Sequence, residues 1–411
     1  MKDDTHDIAV LGSGPAALAI AAACSRRGAL VALIAPEPES AWQPNYCLWA
    51  DELPPGMEGL IEHRWPEASV VTPFGSHVLS RSYAKLDTMG LQAFFWGPLR
   101  AAPARIIADR ATRLDHRGSE TWIQMDSGST ERARVVIDAS GGGSPFIQRA
   151  HRRAPAFQKA FGLMLRAPGH GFDPQRMVLM DFRAASGNTG EPPSFLYVLP
   201  LGDDRLFVEE TSLARRPAMS FDVLRQRLEV RLQTLGLEAC ERIGEEHCVI
   251  PMGLGLPVHG QPLVPFGAAA AMVHPASGYL ISHVLRKAEP VAASIVEGLA
   301  SGDGELATAA GNATLWPRAE RALWEIYAFG LESLVGMSAI EIGRFFDSFF
   351  RLPEQGWADF LAGTSSPSEV GTVMLRLFRN LPASVRWHLL RTSLSAGAAP
   401  LARSVLQPGV T

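Results

Sequence analysis

The sequence predicts an α/β protein: a Rossmann-type dinucleotide-binding unit, an antiparallel β-sheet inserted into it, and a helical C-terminal region. Three observations predict this. The chain opens with the apolar strand 8–11, the turn Gly12-Ser13-Gly14-Pro15-Ala16-Ala17, an Ala-rich helix to about Arg27 and a second strand at 30–35. The run 133–139 reads as another buried strand and ends in Ser140-Gly141-Gly142-Gly143. Apolar runs on either side of Gly202-Asp203-Asp204 read as a hairpin spanning 194–213.

The first element carries G-x-G-x-x-A in the position a βαβ unit requires. Gly12 and Gly14 allow a tight turn and let backbone N–H groups approach a pyrophosphate at the helix N-terminus, and Ala17 is small enough for helix and strand to pack. The acidic residue expected to hold the adenosine ribose at the end of the second strand is absent. Ala35-Pro36 stands there, with Glu37 close behind as the substitute. The second element, Asp138 to Gly143, is a return to the cofactor typical of two-dinucleotide-domain flavoproteins, so the expected cofactor is FAD, approached by Gly141.

Between these elements, residues 40–110 hold clustered aromatics. Several, including Trp42 and Tyr46, fall in loops that suit an apolar or cation-stabilising pocket. Two further strands are expected at 157–166 and 177–182, followed by a loop at 184–193 and the hairpin; together they make the inserted substrate sheet. Residues 220–235 read as an amphipathic helix capped by Ser220 and stopped by Gly236, its alternating charges forming a solvated face. The segment 249–279 resembles the last flavin motif of aromatic hydroxylases, with Ala268 where those enzymes carry Asp. Residues 301–313 read as a Gly/Ala/Asp linker, and the rest as helices rich in Phe, Leu and Trp that either cap the site or face a membrane. The domain reading is therefore 1–150 with 245–300 for FAD, 151–244 for substrate, and 301–411 for the helical region.

Bulk properties narrow the class. A net charge of −4 over 411 residues leaves no nucleic-acid footprint. The four cysteines have no metal-ligand or redox spacing, and they read as reduced thiols in a cytoplasmic protein. No apolar run reaches the ~20 residues of a membrane span. The expectation is a protein in the cytoplasm that is soluble or lies on a membrane surface, with no bound metal.

The hairpin holds two adjacent carboxylates. Along its second strand Leu206, Val208 and Glu210 share one face, and Phe207, Glu209 and Thr211 share the other. Both faces begin apolar, so both carboxylates sit beside hydrophobic surface. Desolvation there raises a carboxyl pKa, as a Brønsted acid working near neutral pH needs. From the strand alone the favoured reading is nevertheless the structural one, in which one Glu is solvated at an edge and the other pairs with an Arg such as Arg205 or Arg215.

Motifs in consistent order resemble those of the flavin-dependent lycopene cyclases. Phe207-Val208-Glu209-Glu210-Thr211 is similar to the family's F-L-E-E-T, and Asn45-Tyr46-Cys47-Leu48-Trp49 to its N-Y-G-V-W. Tyr83 to Asp87 is similar to Y-A-R-V-D, Met180-Asp181-Phe182-Arg183 to M-D-W-R, and Phe266 to Tyr279 to F-G-A-A-A-x-M-V-H-P-A-T-G-Y. The family itself lacks the hydroxylase Asp, which accounts for Ala268.

The resemblance implies redox-neutral cyclisation of the linear ends of lycopene to ionone rings, most simply β, on reduced FAD supplied with electrons by NADPH. It implies Glu209 as the acid, Glu210 as a supporting base or hydrogen-bond partner, and Asp181 in the catalytic set. It places Gly267 and Gly278 beside the cofactor and Tyr46, Trp49, Phe207 and His274 around a hydrophobic polyene, on a peripherally membrane-associated protein. Two rival readings remain at this stage: an FAD- and NADPH-dependent monooxygenase or epoxidase, and a non-catalytic carotenoid or prenyl-chain carrier.

Overall fold

The strand Thr5–Leu11 lies at the middle of the first sheet, its last four residues fully enclosed. The computed structural model describes residues 5–149, 154–183 and 192–395. Seven strands form this sheet: Arg105–Ala108, Val31–Ala35, Thr5–Leu11, Thr130–Asp138, Glu120–Met125 and Ala111–Arg117 in that order, with Val264–Pro265 pairing beside Thr130–Asp138. The strands around Thr5–Leu11 run parallel, as a βαβ topology requires, and the last two turn back antiparallel. Helix Pro15–Arg26 packs its alanines between this sheet and the long helix Ile281–Ala300. That is why half of the helix is Ala: larger side chains would hold the two helices and the sheet apart.

The second sheet also has seven strands, in the order Glu241–Met252, Ala156–Arg166, Arg205–Ser212, Ser194–Gly202, Arg176–Asp181, Glu67–Thr72 and Gly75–Leu79. The expected hairpin is at its centre. Its turn residues Asp203 and Asp204 both have positive φ, 50° and 58°, the conformation a two-residue hairpin turn needs. The sheet is not wholly antiparallel, because Arg176–Asp181 runs parallel to Glu67–Thr72. Nor do boundaries at 151 and 244 enclose it: two strands come from the 67–79 region and one extends to Met252. The expected loop at 184–193 lies, up to residue 191, outside the described residues.

Two other sequence expectations are corrected. Residues 301–313 are not a linker: Gly304–Leu315 is a helix, capped by the Asp303 carboxylate and packed on Ile281–Ala300. A Cβ on Gly298 would stand 2.6 Å from Ala307 Cα, and one on Gly311 2.7 Å from Ile295. The small residues that suggested flexibility instead permit close helix packing. In the C-terminal region, Phe346, Phe349, Phe350 and Trp357 are buried against the second sheet and the Trp49–Trp65 cluster. This aromatic stretch is a core that caps the sheet, not an interface.

Candidate active site

A cavity of about 870 Å³ lies between the two sheets. One end is the glycine turn after Thr5–Leu11. Gly12 has φ +108°, and a Cβ there would stand 2.7 Å from the Ala139 carbonyl oxygen, so only glycine allows the two strand-to-loop turns to meet. Helix Pro15–Arg26 begins at Gly14 with no side-chain cap, leaving its first N–H groups directed at this end. Added Cβ atoms on Gly14, Gly141 and Gly143 would meet nothing within 4 Å, and all three residues line the cavity. Asp138 is not part of the wall. It is buried and accepts hydrogen bonds from the Ser140 N–H (3.0 Å), the Ser140 hydroxyl (2.6 Å) and the Ser144 hydroxyl, which shapes the glycine loop.

Other predicted cofactor residues divide in the same way. Gly278 lines the cavity. Ala17 is fully buried in the helix packing, and a Cβ on Gly267 would lie 2.4 Å from Ala16 Cβ, so these two hold the loop against the helix. Glu37, the expected substitute for the missing ribose acid, is exposed directly after the cavity-lining Pro36 and is not itself part of the wall; its carbonyl accepts the Ser13 hydroxyl. Ala35, Pro36, Asp109 and Arg110 form that rim of the cavity.

The other end of the cavity is the second sheet. Glu209 and Phe207 line it, as their shared face predicts. Glu209 accepts the Thr211 hydroxyl at 2.6 Å. Burial, reinforced by the charge of Glu246, pushes its carboxyl pKa up to about 8. Around it stand Tyr46, Tyr83, Tyr197 and Tyr279, whose burial raises each phenol above its ordinary value. All are neutral at physiological pH, and they present ring faces and edges with no added charge.

Glu210 is on the opposite side of the strand. It is completely enclosed, accepting from Arg231 Nε at 2.6 Å and from the Ser194 hydroxyl. The helix Phe221–Leu235 that supplies Arg231 has the expected Ser220 cap and Gly236 stop, yet its charged face is not all solvated: Arg231 is 7% exposed. The structure thus does not bring Glu210 into the cavity as a supporting base. The arginine it pairs with comes from that helix and not from the hairpin's own Arg205 or the nearby Arg215.

Three further predicted site residues lie elsewhere. Asp181 pairs with Arg183 and is away from the cavity wall, because its strand is separated from Arg205–Ser212 by Ser194–Gly202. Trp49 is fully buried between Tyr83 and Trp357, with ring centroids 5.0 and 5.5 Å away. His274 lines a separate cavity of about 490 Å³, its ring 4.2 Å from that of Tyr327. Burial holds its pKa well below the usual imidazole value, so it is a neutral core histidine.

Sequence reasoning missed Glu246, Tyr197 and Cys248, all of which line the cavity. Glu246 is on Glu241–Met252 and accepts from the Asn45 backbone N–H at 3.3 Å and from the Asn45 side chain. Its pKa is raised by burial, against the opposing effect of the Asn45 hydrogen bonds and of Lys85. A signal was present: Glu246 and Cys248 are two apart on a strand, hence on one face. Which face looked inward was not readable.

The Lycopene cyclase protein family model matches residues 7–386. The chain belongs to the lycopene cyclase family. It is 39% identical to the lycopene beta cyclase of Synechococcus elongatus over 395 residues, covering 93% of this chain and 95% of that protein. It is 34% identical to a chloroplastic neoxanthin synthase of Solanum lycopersicum, covering 90% and 77% of the two. This cyclase has the α/β fold of FAD-dependent oxidoreductases. A geranylgeranyl bacteriochlorophyll reductase-like protein from Thermoplasma acidophilum superposes with a TM-score of 0.68 at 16% identity, covering 95% of this chain and 99% of that one. At that identity the likeness concerns the fold alone.

Proposed function

We propose that this cyclase converts the linear ends of lycopene, or of a related polyene, to ionone rings of the β type, without net oxidation or reduction. The observation that carries the reading is Glu209: a carboxyl in a largely apolar cavity, with its pKa pushed up to about 8, faced by neutral aromatic side chains. Protonating an alkene needs an acid poorly solvated in its ground state, and the tertiary carbocation that results needs π-faces around it. Glu209 gives its proton to the terminal double bond; the neighbouring internal alkene attacks the cation and closes the six-membered ring; loss of a ring proton completes the isomerisation. Phe207, Tyr46, Tyr83, Tyr197 and Tyr279 exclude water that would otherwise trap the cation as an alcohol.

The glycine end of the cavity fits FAD. Uncapped N–H groups at the helix start suit a pyrophosphate, and Gly14, Gly141 and Gly143 leave the space a nucleotide needs. FAD held there in reduced form, with NADPH as electron donor, would supply negative charge that favours a cation. Contact with a membrane surface in the cytoplasm would deliver the insoluble polyene. Supporting it, Leu375, Trp387 and Leu390 are exposed on the C-terminal helices among the exposed Arg376, Arg379, Arg386 and Arg391. No helix among the described residues is long and apolar enough to cross a membrane.

Expression in a lycopene-accumulating bacterium tests the proposal. Chromatography and mass spectrometry of the pigments should find ring-containing isomers of unchanged mass. Products heavier by one oxygen would establish a monooxygenase in its place, and unaltered lycopene would remove this polyene as the substrate.

A further inference from the structure

The second sheet puts two carboxylates in one row. Gly162, in the strand Ala156–Arg166, pairs with Glu209 on one side and with Glu246 on the other. Residues directly opposite one another across neighbouring strands point to the same face, so Glu209 and Glu246 flank a position that has no side chain. Their backbones are two strand spacings, or about 10 Å, apart, a gap that two glutamate side chains converging on one ligand can span. Gly162 cannot be replaced without cost to this arrangement, because a Cβ there would stand 2.5 Å from the Phe207 ring. Both carboxylates line the same cavity, and the charge of Glu246 helps to raise the pKa of Glu209.

The reaction needs two proton transfers of opposite sense, and the proposed function assigns only the first. Few cavity residues can make the second. Cys248 is held as a thiol, its pKa pushed up to about 12, and the four tyrosines are held as phenols. Asp109 is at the opposite, glycine-loop end beside Arg110. Glu210 is behind the sheet on Arg231. Glu246 remains, and it differs from Glu209 in what stabilises its anion. Asn45 donates to it from both backbone and side chain, and the Lys85 ammonium, paired with Glu62, lies near enough to favour its charge. Among the described residues Glu209 has the Thr211 hydroxyl as its side-chain donor.

We propose that Glu246 is the base that removes the ring proton, and that the ring carbon it faces fixes the type of ring formed. This rests on the cyclase reading above and adds the second half of its proton cycle. In the resting pair Glu209 carries the proton and Glu246 is the carboxylate. Glu209 loses its proton to the terminal alkene carbon, a C–C bond forms as the ring closes, and Glu246 takes a proton from a ring carbon as the ring double bond forms. Substrate and product are isomers, no electrons are exchanged, and the pair still holds one proton. Transfer of that proton from Glu246 to Glu209 across the Gly162 gap restores the starting state. Two like charges in one poorly solvated cavity favour such a singly protonated pair.

The test compares Glu246→Gln, Glu246→Asp and Glu209→Gln in the flavin-loaded full chain, reading flavin content, turnover, ring-isomer composition and the pH profile. Glu246→Gln should keep its flavin and lose at least 100-fold in turnover. Glu246→Asp should recover part of that loss with a changed ratio of ring isomers, since its shorter side chain approaches a different ring proton. The parent rate should fall at low pH as Glu246 becomes protonated, and that limb should be absent from the residual activity of Glu246→Gln. Near-parental turnover of Glu246→Gln, or parental ring composition and an unchanged low-pH limb in both Glu246 variants, overturns the assignment. If Glu209→Gln were also fully active, the cyclase reading of the whole cavity would fail, an outcome distinct from failure of the Glu246 role alone.

Discussion

Glu209 and Glu210 are adjacent and chemically identical, the first partly buried in the cavity wall and the second fully enclosed, and the two faces of their strand give them opposite surroundings. The helix face supplies Glu210 with a buried guanidinium at 2.6 Å and the Ser194 hydroxyl, a closed arrangement in which the anion is satisfied. The cavity face supplies Glu209 with one hydroxyl and a second carboxylate, which together leave the anion poorly stabilised. Burial alone therefore does not make a catalytic acid. Burial without a cationic partner does, and the partner is decided by the element packed against each face.

The largest effect that would sharpen this contrast is the loss of cyclisation in Glu209→Gln. Removing a positioned acid should cost on the order of 10²–10⁴-fold or more in turnover, with flavin content and melting temperature near those of the parent. Pigment analysis checks the first and absorbance with thermal denaturation the second; an active Glu209→Gln would break the comparison outright.

Glu210→Gln should behave in the reverse manner. It leaves Arg231 buried without its counter-ion, so stability should fall by about 3–5 kcal/mol, while the fraction that remains folded should retain its cavity chemistry. A urea titration measures this, and Glu210→Met combined with Arg231→Met should return much of the loss. Equal stability of Glu210→Gln and parent would show that the pair is not the structural anchor its geometry indicates.

The pH dependence gives a smaller, continuous test. Glu209 must be protonated to act, and its pKa is about 8, raised from the ordinary carboxyl value. The active form is therefore populated below about 8, and turnover should fall about tenfold per pH unit above it. In Glu246→Gln this high-pH limb should move to lower pH, because one of the causes that raise the Glu209 pKa is gone. Turnover measured across pH 6–10 in both proteins decides the point.

The smallest expected effect is at Glu37. Because its side chain faces solvent outside the cavity wall, Glu37→Ala should change flavin affinity no more than a few-fold, whereas Gly12→Ala should abolish flavin retention through its clash with Ala139. Flavin released from the purified variants on denaturation reports both.

Much of this was readable in the sequence. The βαβ unit at residues 8–35 was legible because Gly12 stands where backbone geometry permits nothing else and Gly14 follows it at the helix start, and the hairpin because its alternation and its Gly-Asp-Asp turn are local properties. The glycine-lined end of the cavity followed from these. The helix Gly304–Leu315 was misread because small residues signal flexibility and close packing alike, and only the neighbouring Ile281–Ala300 helix distinguishes them. His274 and Trp49 were read as pocket residues because aromatic and imidazole rings serve cores and sites equally.

The sequence by itself determined that two adjacent carboxylates lie on opposite faces of one strand, since alternation is a property of the extended backbone. It could not determine which face was the cavity, because both begin apolar. Nor could it determine the register. A simple two-residue turn pairs Gly202 with Arg205, but a shift between Pro200 and Gly202 moves the pairing by one residue, so that Tyr197 stands opposite Glu209 and not Glu210. A one-residue shift exchanges every cross-strand neighbour. Glu246 lies 37 residues beyond Glu209, so that only the docking of a third strand across Gly162 could bring them together. Local backbone geometry fixed where each Glu could point, and long-range strand pairing fixed what each one met.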